Sequence, residues 1–341
     1  MDKFLSTSDE LSQIIQANAV LLYDKLRTLP VDDLGMPHYC LVYFKGSHFK
    51  RLFFSIETSA NLLYRSISAV NKPVSEIVIM DYGAGVGTLY TLAKMIGCKK
   101  VIYNDYLEDW RNSARLIAEA IGIHTDEYIL GDIGETLKTL DQKNIQCDII
   151  ASRNVIEHIY KLDEFYLAIA AAQPKTLIYS STTANSKNPA TRIQHRRLHR
   201  KWEKIYLPQR EQMILQIAPS LDKSRAHQLA LHTKGLAGSD INHAVEKYLS
   251  SGKLPDPLPH RTNTCNPTNG VWAEHLLRFD EYRKLLGNRY EVSFEPGFWD
   301  THYQNPLMNM IGKLLNGLIR MNKTMGFFLA SFIYVVASPK K

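Results

Sequence analysis

The sequence predicts an α/β fold on a mostly parallel sheet, and three observations predict it. Five short apolar runs, at 77–80, 100–105, 128–132, 148–152 and 176–181, alternate with helical stretches at 88–96, 109–121, 135–143 and 163–172. Runs without polar alternation suit strands covered on both faces, and strand–helix alternation suits parallel pairing. The first run ends in "MDYGAGVG", an acid and three glycines at alternate positions ahead of a helical pattern. The rhythm stops after Ser181 and returns near the C terminus with two more runs, 290–299 and 330–339.

Ahead of the sheet, 10–26 carries Leu11, Ile14, Ile15, Leu22 and Leu26 at helical spacing, with Asn18 as the polar break in the stripe. Residues 48–70 repeat the pattern through Leu52, Ile56, Ala60, Leu63 and Ile67. Residues 1–70 are therefore expected as a helical cap, and 71–181 as the core of the sheet. Gly97 and Gly122 stand just past two of its helices, where a left-handed cap is wanted. The break after Ser181, about ninety residues, is too long for a bare loop. Residues 182–274 are expected as a structured insertion, with basic helices broken at Pro208 and irregular Pro- and Asn-rich chain at 252–270. The remainder, 275–341, holds a helix at "RFDEYRKLLG", the last two strands and, between them, an amphipathic helix at about 305–320.

Composition narrows the class without deciding it. Hydrophobic residues at 45% and charged residues at 22% argue against wholesale disorder. The net charge of +7 suits anionic partners, though a merely basic protein has the same balance. The four cysteines, Cys40, Cys98, Cys147 and Cys265, form no CxxC pair, so neither a zinc site nor a disulfide framework is expected. The opening "MDKFLSTSDEL" lacks the long apolar core of a signal peptide. The run at 325–337 is shorter than the roughly 20 residues of a spanning helix. The expected location is cytoplasmic.

In the strand–loop–helix reading, Asp81 ends a buried strand and Gly83, Gly85 and Gly87 form the turn. Glycine permits positive φ and close approach of a ligand to backbone. The next helix offers unpaired N–H groups and the positive end of its dipole. Such a loop alone is shared by nicotinamide, flavin and adenosyl cofactor sites. Here Thr88 stands where a dinucleotide fingerprint wants its third glycine. Asp81 would repel a pyrophosphate but suits a cofactor with an ammonium group. Asp105 ends the next strand about 20 residues on, where an acid accepts from both ribose hydroxyls. A ribose, a cation and no diphosphate describe S-adenosylmethionine.

On these residues the sequence resembles the class I S-adenosylmethionine-dependent methyltransferases. "DYGAGVG" is similar to the family's first motif, "YNDY" (103–106) to its ribose-binding acid, "GDI" (131–133) to its adenine-contacting step and "SRNVIEHI" (152–159) to its fourth-strand segment. The order and spacing agree across 76–181. The resemblance implies a Rossmann-like, seven-stranded, mostly parallel sheet with a terminal antiparallel hairpin and helices on both faces. It implies that backbone at Gly83, Gly85 and Gly87 lines the methionine portion. Asp105 would hold the ribose diol with Tyr106 beside the adenine, Asp132 would accept from the adenine amino group, and Ile133 would pack on the ring. Asn154 would face the sulfonium end. Plain structural roles also exist for these side chains: turn or cap acids for Asp81 and Asp132, core for Tyr106 and Ile133.

Methyl transfer from a sulfonium needs alignment in a water-poor pocket, and a hydroxyl acceptor also needs a base. His158, after the fourth strand, is the first candidate, because imidazole titrates in the useful range. His275 resembles a histidine found before the helix that leads to the sixth strand. The alternative for each is a histidine held by a structural hydrogen bond. His195 and His199 share a helical face as zinc ligands do, but no acid lies between them and four cations surround them, so no metal is expected. Residues 192–204 hold six Arg/Lys against one Glu, a solvated face by default and otherwise a clamp for a phosphate-bearing acceptor.

Nucleic acid is not expected: Ser152-Arg153-Asn154-Val155 lacks the signature of base-amino methyltransferases, and no aromatic and basic stripe appears. The stripe Leu307, Ile311, Leu314, Leu315 and Leu318, near Lys313, Arg320 and Lys323, is expected to pack on its own domain. Its alternative is peripheral contact with an anionic membrane surface. With the basic insertion, 182–274, which is then expected to bind the acceptor, it resembles methyltransferases of surface-polysaccharide or lipid-linked glycan assembly, which implies O-methylation of a small-molecule, glycan or lipid-linked acceptor. Two rival functions fit the same glycine turn: a non-catalytic S-adenosylmethionine-binding module, and a nicotinamide-dependent oxidoreductase.

Overall fold

In the computed structural model, which describes residues 3–340, Asp9 caps the first helix, α1 (Glu10–Arg27), by accepting the Ser12 N–H. Its buried face is Ser12, Ile15, Ala19, Leu22 and Leu26. This face is rotated from the expected stripe. Ile14 is 37% exposed, and Asn18 lies outside the buried line, its amide donating to the Ile14 carbonyl. The short α2 (His38–Tyr43) runs into a single π turn at Phe44–His48. The next helix, α3 (Leu52–Val70), buries Leu52, Ile56, Ala60, Leu63 and Ile67, as their spacing predicts, and stops at left-handed Asn71.

The sheet is laid down as β1 (Val78–Tyr82), α4 (Thr88–Met95), β2 (Lys100–Asp105), α5 (Glu108–Ala120), β3 (Glu127–Leu130), α6 (Ile133–Gln142), β4 (Ile149–Arg153), α7 (Leu162–Ala172) and β5 (Leu177–Thr182). Its order is β3-β2-β1-β4-β5-β7-β6, with β7 (Ile333–Pro339) antiparallel to both β5 and β6 (Tyr290–Pro296). The pairings among β1 to β5 are parallel. This is the seven-stranded, Rossmann-like sheet with a terminal antiparallel hairpin. Successive strand residues feed opposite faces: Ile79 joins the core under α1, α3, α4 and α5, and Met80 joins the core under α6, α7 and α11 (Phe279–Leu286). The chain leaves β1 for β2 on one side and later returns to β4 on the other. That reversal opens a crevice at the carboxyl ends of β1 and β4.

The insertion is helical. Asn188 caps α8 (Pro189–Ile217) through the Ala190 and Thr191 N–H groups, with Pro189 in the first turn. The helix is not broken at Pro208 but runs through it. Proline removes one backbone donor there, at a penalty of about 3 kcal/mol in a free helix. Contacts on its far side offset that: the fully buried Arg210 donates from Nε to the Ala230 carbonyl (2.7 Å) and pairs with Glu203, stitching both sides of the proline together. Helices α9 (Lys223–His232) and α10 (Ser239–Ser251) close a small core over α8 with Ile214, Leu229, Ile241 and Val245.

Between β6 and β7 lie α12 (Pro306–Met321) and α13 (Lys323–Leu329). The amphipathic helix forms where the spacing predicts, but its stripe is only partly packed on the domain, with Leu315 and Leu318 half-buried and the rest exposed. Leu307 is 56%, Ile311 40% and Leu314 66% exposed, and the buried side is Gly312, Asn316 and Ile319. Among the described residues no helix is long and apolar enough to cross a membrane.

Candidate functional site

The turn after β1 has all three glycines in the left-handed region, at φ 67°, 55° and 81° for Gly83, Gly85 and Gly87. Their reasons differ. A Cβ at Gly83 would stand 2.6 Å from a Val155 methyl carbon, and one at Gly87 would stand 2.0 Å from the Tyr90 ring, whereas Gly85 faces open space. Packing within the chain thus demands two of the glycines, and the third leaves backbone open to approach.

The turn is tied to β2. The Gly85 N–H donates to Asp105 Oδ2 (2.9 Å), and the Tyr103 hydroxyl donates to the Gly85 carbonyl (2.8 Å). The other Asp105 oxygen accepts from the Leu107 N–H (3.0 Å). Each carboxylate oxygen keeps a further lone pair. Burial pushes the Asp105 carboxyl above its ordinary range, opposed by the N–H groups of Leu107, Gly85 and Tyr106.

Asp81 lies beneath the turn, 2% exposed, and accepts from the Tyr90 N–H (3.1 Å). Burial pushes its carboxyl up to about 7, and the nearby Arg153 guanidinium works against that rise. Along the same edge, the Tyr106 side chain is 68% exposed. Asp132 is the N-cap of α6 in a reciprocal capping box with Glu135, and Ile133, the first residue of that helix, packs against the core. Asn154 sits in the left-handed region at φ 55°, its N–H donating to the Ser181 carbonyl (2.8 Å).

Beside β4, a cleft of about 270 Å³ is lined by Tyr43, His48, Arg153, Asn154, Ser181 and Thr183, among others. Arg153 donates to the Ser55 carbonyl (2.7 Å) and to the hydroxyls of Ser55 and Ser59. Burial, helped by the charge of Arg153, pushes His48 down to about 3, so this ring is neutral. The cleft therefore sets a half-buried cation, Arg153, and the more exposed Arg51 beside neutral donors and acceptors.

Thr183 connects this cleft to a cluster of titratable groups. Its hydroxyl lies 3.4 Å from Glu157 Oε1 and 3.3 Å from Glu274 Oε2. Glu157 is 1% exposed, and its other oxygen has no protein partner; burial raises its pKa, opposed by His158. Glu274, itself left-handed at φ 63°, pairs with His195 Nε2, while His195 Nδ1 donates to the Thr191 carbonyl (2.8 Å). Burial would depress His195, but Glu274 and Thr191 outweigh it and hold the ring above its ordinary pKa. His199 donates from Nε2 to the Glu274 carbonyl and accepts at Nδ1 from the Thr264 N–H, both at 3.0 Å. Both its nitrogens are taken, and burial pushes it down to about 4.

The chain leaving the insertion is laced onto the turn after β4. Trp272 N–H donates to the His158 carbonyl (3.1 Å) and His275 N–H to the Glu157 carbonyl (2.8 Å). His158 Nδ1 lies 2.8 Å from the Trp272 carbonyl, which can only accept, so Nδ1 carries the proton and the neutral ring keeps its lone pair on Nε2. The His275 ring stacks on Trp272 at 4.4 Å and donates from Nδ1 to the Thr262 carbonyl (2.6 Å); burial pushes it down to about 4. His158 and His275 thus both meet Trp272, one at its carbonyl and the other on its ring. The cleft and the cluster beside it also gather His48, Glu157, Thr183 and Glu274, which the sequence analysis did not single out because they come from four separate segments.

No protein-family model matches the chain, and no curated protein is significantly similar to it. Among solved structures, it is similar to an S-adenosylmethionine-dependent methyltransferase from Mesorhizobium loti, at 12% identity over 81% of this chain and 97% of that one, with a TM-score of 0.40. It is also similar to magnesium protoporphyrin IX methyltransferase from Synechocystis, crystallised with bound S-adenosylmethionine, at 14% identity over 52% of this chain and 77% of that one, with a TM-score of 0.31. A third, an S-adenosylmethionine-dependent methyltransferase from Clostridium acetobutylicum, shares 13% identity over 42% of this chain and 59% of that one, with a TM-score of 0.33. The fold rests on strand order and register, not on these likenesses.

Proposed function

We propose that this chain is an S-adenosylmethionine-dependent methyltransferase that methylates an oxygen of a small-molecule, glycan or lipid-linked acceptor. The observation that carries the reading is the turn at 83–87. Three left-handed glycines end β1, are tied to the acid that ends β2, and stand beside the reversal of strand order where open α/β sheets take ligands.

The residues present fit such a cofactor. Open space at Gly85 admits close approach, and the remaining lone pairs of Asp105 suit a ribose diol. Asp81, whenever ionised, sets a negative potential beneath the turn, which favours a cation over a diphosphate. Tyr106, Asp132 and Ile133 lie at the ends of β2 and β3, within reach of a purine on that side. When bound, the cofactor supplies a methyl group on positively charged sulfur.

The chain's own part is alignment, exclusion of water and removal of one proton. Asn154 faces the sulfonium end, and the cleft beside β4 holds the acceptor. His158 takes the proton from the acceptor hydroxyl at Nε2, because Nδ1 is committed to the Trp272 carbonyl. His275 stacks on the Trp272 ring and helps fix that residue in place.

The test is calorimetric titration with S-adenosylhomocysteine and NADH side by side. Heat with the first, none with the second, and its loss in Asp105→Ala are expected. Tight NADH binding with no S-adenosylhomocysteine heat overturns the reading. A screen of sugar, lipid and phenolic pools for transfer of labelled methyl identifies the acceptor, and full turnover by His158→Ala at every pH removes that residue as base.

A further inference from the structure

Helix α12 is inverted relative to the usual rule that a surface helix turns its apolar stripe to the core. Its buried side is Gly312, Asn316 and Ile319, and Asn316 is held there by polar contacts. Asn316 accepts from the Trp299 N–H (2.7 Å) and donates to the Trp299 carbonyl (2.9 Å), and a Cβ on Gly312 would come within 2.5 Å of the Asp300 carbonyl. Its outer side is apolar: Leu307 is 56%, Met310 62%, Ile311 40%, Leu314 66% and Met321 77% exposed. At 100° per residue these five fall within an arc of about 100°. Phe328 of α13, 47% exposed, adds to the outward apolar surface of this hairpin. Folding alone gives no return for presenting these side chains to water, so the face has an occupant.

Charge says which. From residue 301 to 329 the chain carries Lys313, Arg320 and Lys323 and no acidic residue. On the helical wheel Lys313 and Arg320 fall between the apolar arc and the buried side, the level that headgroups occupy when such an arc is submerged. Next to them, a cavity of about 860 Å³ between α3 and α12 is lined by Lys3, Arg65, Lys313, Arg320 and Lys323 against two acids. One of these, Glu295, is paired with Arg65, and burial pushes the other, Glu57, up to about 8, so it is neutral at pH 7. A second copy of the chain is a poor occupant: a two-fold contact through this face would bring the same three cations together.

We propose that α12 and α13 dock on a bilayer leaflet containing anionic phospholipid, with the apolar arc at the headgroup–acyl boundary and the cation-lined cavity against lipid phosphate. The surface shares no residue with the glycine turn, so it stands or falls apart from the cofactor reading.

The test is flotation of the full chain with vesicles of phosphatidylcholine alone and of phosphatidylcholine with phosphatidylglycerol. Binding to the anionic vesicles only, weakened by salt, is expected. Leu314→Asp, at an exposed position that leaves thermal unfolding unchanged, should weaken binding about tenfold or more. Arg320→Glu should weaken it too, and a tryptophan placed by Leu314→Trp should shift its emission to the blue on binding. No flotation of the parent protein overturns the proposal. So does undiminished binding of Leu314→Asp, which would leave a purely electrostatic contact. A concentration-dependent dimer in sedimentation velocity that Leu314→Asp abolishes would assign the face to a second copy instead.

Discussion

Gly85 and Gly87 are two residues apart and share a left-handed backbone, yet they answer to different demands. At Gly87 an added methyl meets the Tyr90 ring at 2.0 Å, so Gly87→Ala suffers both backbone strain and overpacking. A loss of roughly 2–4 kcal/mol of stability is expected in denaturant unfolding. Gly85→Ala meets nothing and should lose only about 1 kcal/mol, while its affinity for S-adenosylhomocysteine falls more than stability does. Equal losses in both variants would mean that the two glycines serve the fold alone.

His48 offers a second test at this scale. Its folded pKa, about 3, lies below the ordinary histidine value near 6.5, so the unfolded chain takes up a proton first as pH falls. The stability it contributes is complete above about pH 6.5 and is lost progressively toward pH 3. Between pH 7 and pH 5, His48→Gln should therefore lose about 1–2 kcal/mol less stability than the parent chain. Parallel pH profiles would contradict a neutral buried His48. Nothing in the sequence singles out this histidine, because its burial comes from the π turn that carries it and from Thr88 of α4, 40 residues on.

At the scale of elements, periodicity told which side chains are apolar but not which way each face points. The stripe of α3 is inward as its spacing says, since a continuous run of large apolar groups has no other stable burial. In α1 the true core face includes Ser12 and Ala19, small residues that α3 packs against and that a search for large side chains passes over. In α12 the stripe is present but Leu307, Ile311 and Leu314 face outward while Leu315 and Leu318 are half-buried, because the side turned to the domain is set by Gly312, Asn316 and Ile319. Pro208 reads as a helix end, yet α8 continues because contacts distant in sequence hold it. Arg210 makes this testable. It is fully buried, donates to the Ala230 carbonyl and pairs with Glu203, so Arg210→Ala leaves a carboxylate with little compensation. A loss of about 3 kcal/mol is expected in thermal unfolding, partly recovered when Glu203→Met is added to Arg210→Met. A change below about 1 kcal/mol would mean that the pair does not hold the two halves of α8.

At the scale of the whole molecule, the N-terminal helices and the sheet share one hydrophobic cluster that runs from Phe4 to Val336, whereas α8, α9 and α10 enclose a small cluster of their own. The glycine turn and Asp105 were legible because one short stretch carries each, on a strand–helix rhythm that locates it. The cluster around Glu274 was not, beyond His158 and His275, because it forms only where the insertion meets the turn after β4, through Glu274, Trp272 and His275. This arrangement implies two units of different stability joined at a seam where Tyr160 packs on Ala237, Cys265 and Trp272 and donates to Asp240. A ligand that binds only the folded body raises the free energy of its opening by RT ln(1 + [L]/Kd), about 2.7 kcal/mol at 100 times Kd. With S-adenosylhomocysteine at that excess, amides of β1, β2 and β4 that exchange through opening of the body should slow about 100-fold. Amides of α9 and α10, which open on the strength of their own small core, should be unchanged. Hydrogen exchange read by mass spectrometry separates the outcomes: equal slowing of α9 and α10 would make the chain a single cooperative unit, and no slowing anywhere would count against the ligand rather than against the division of the core.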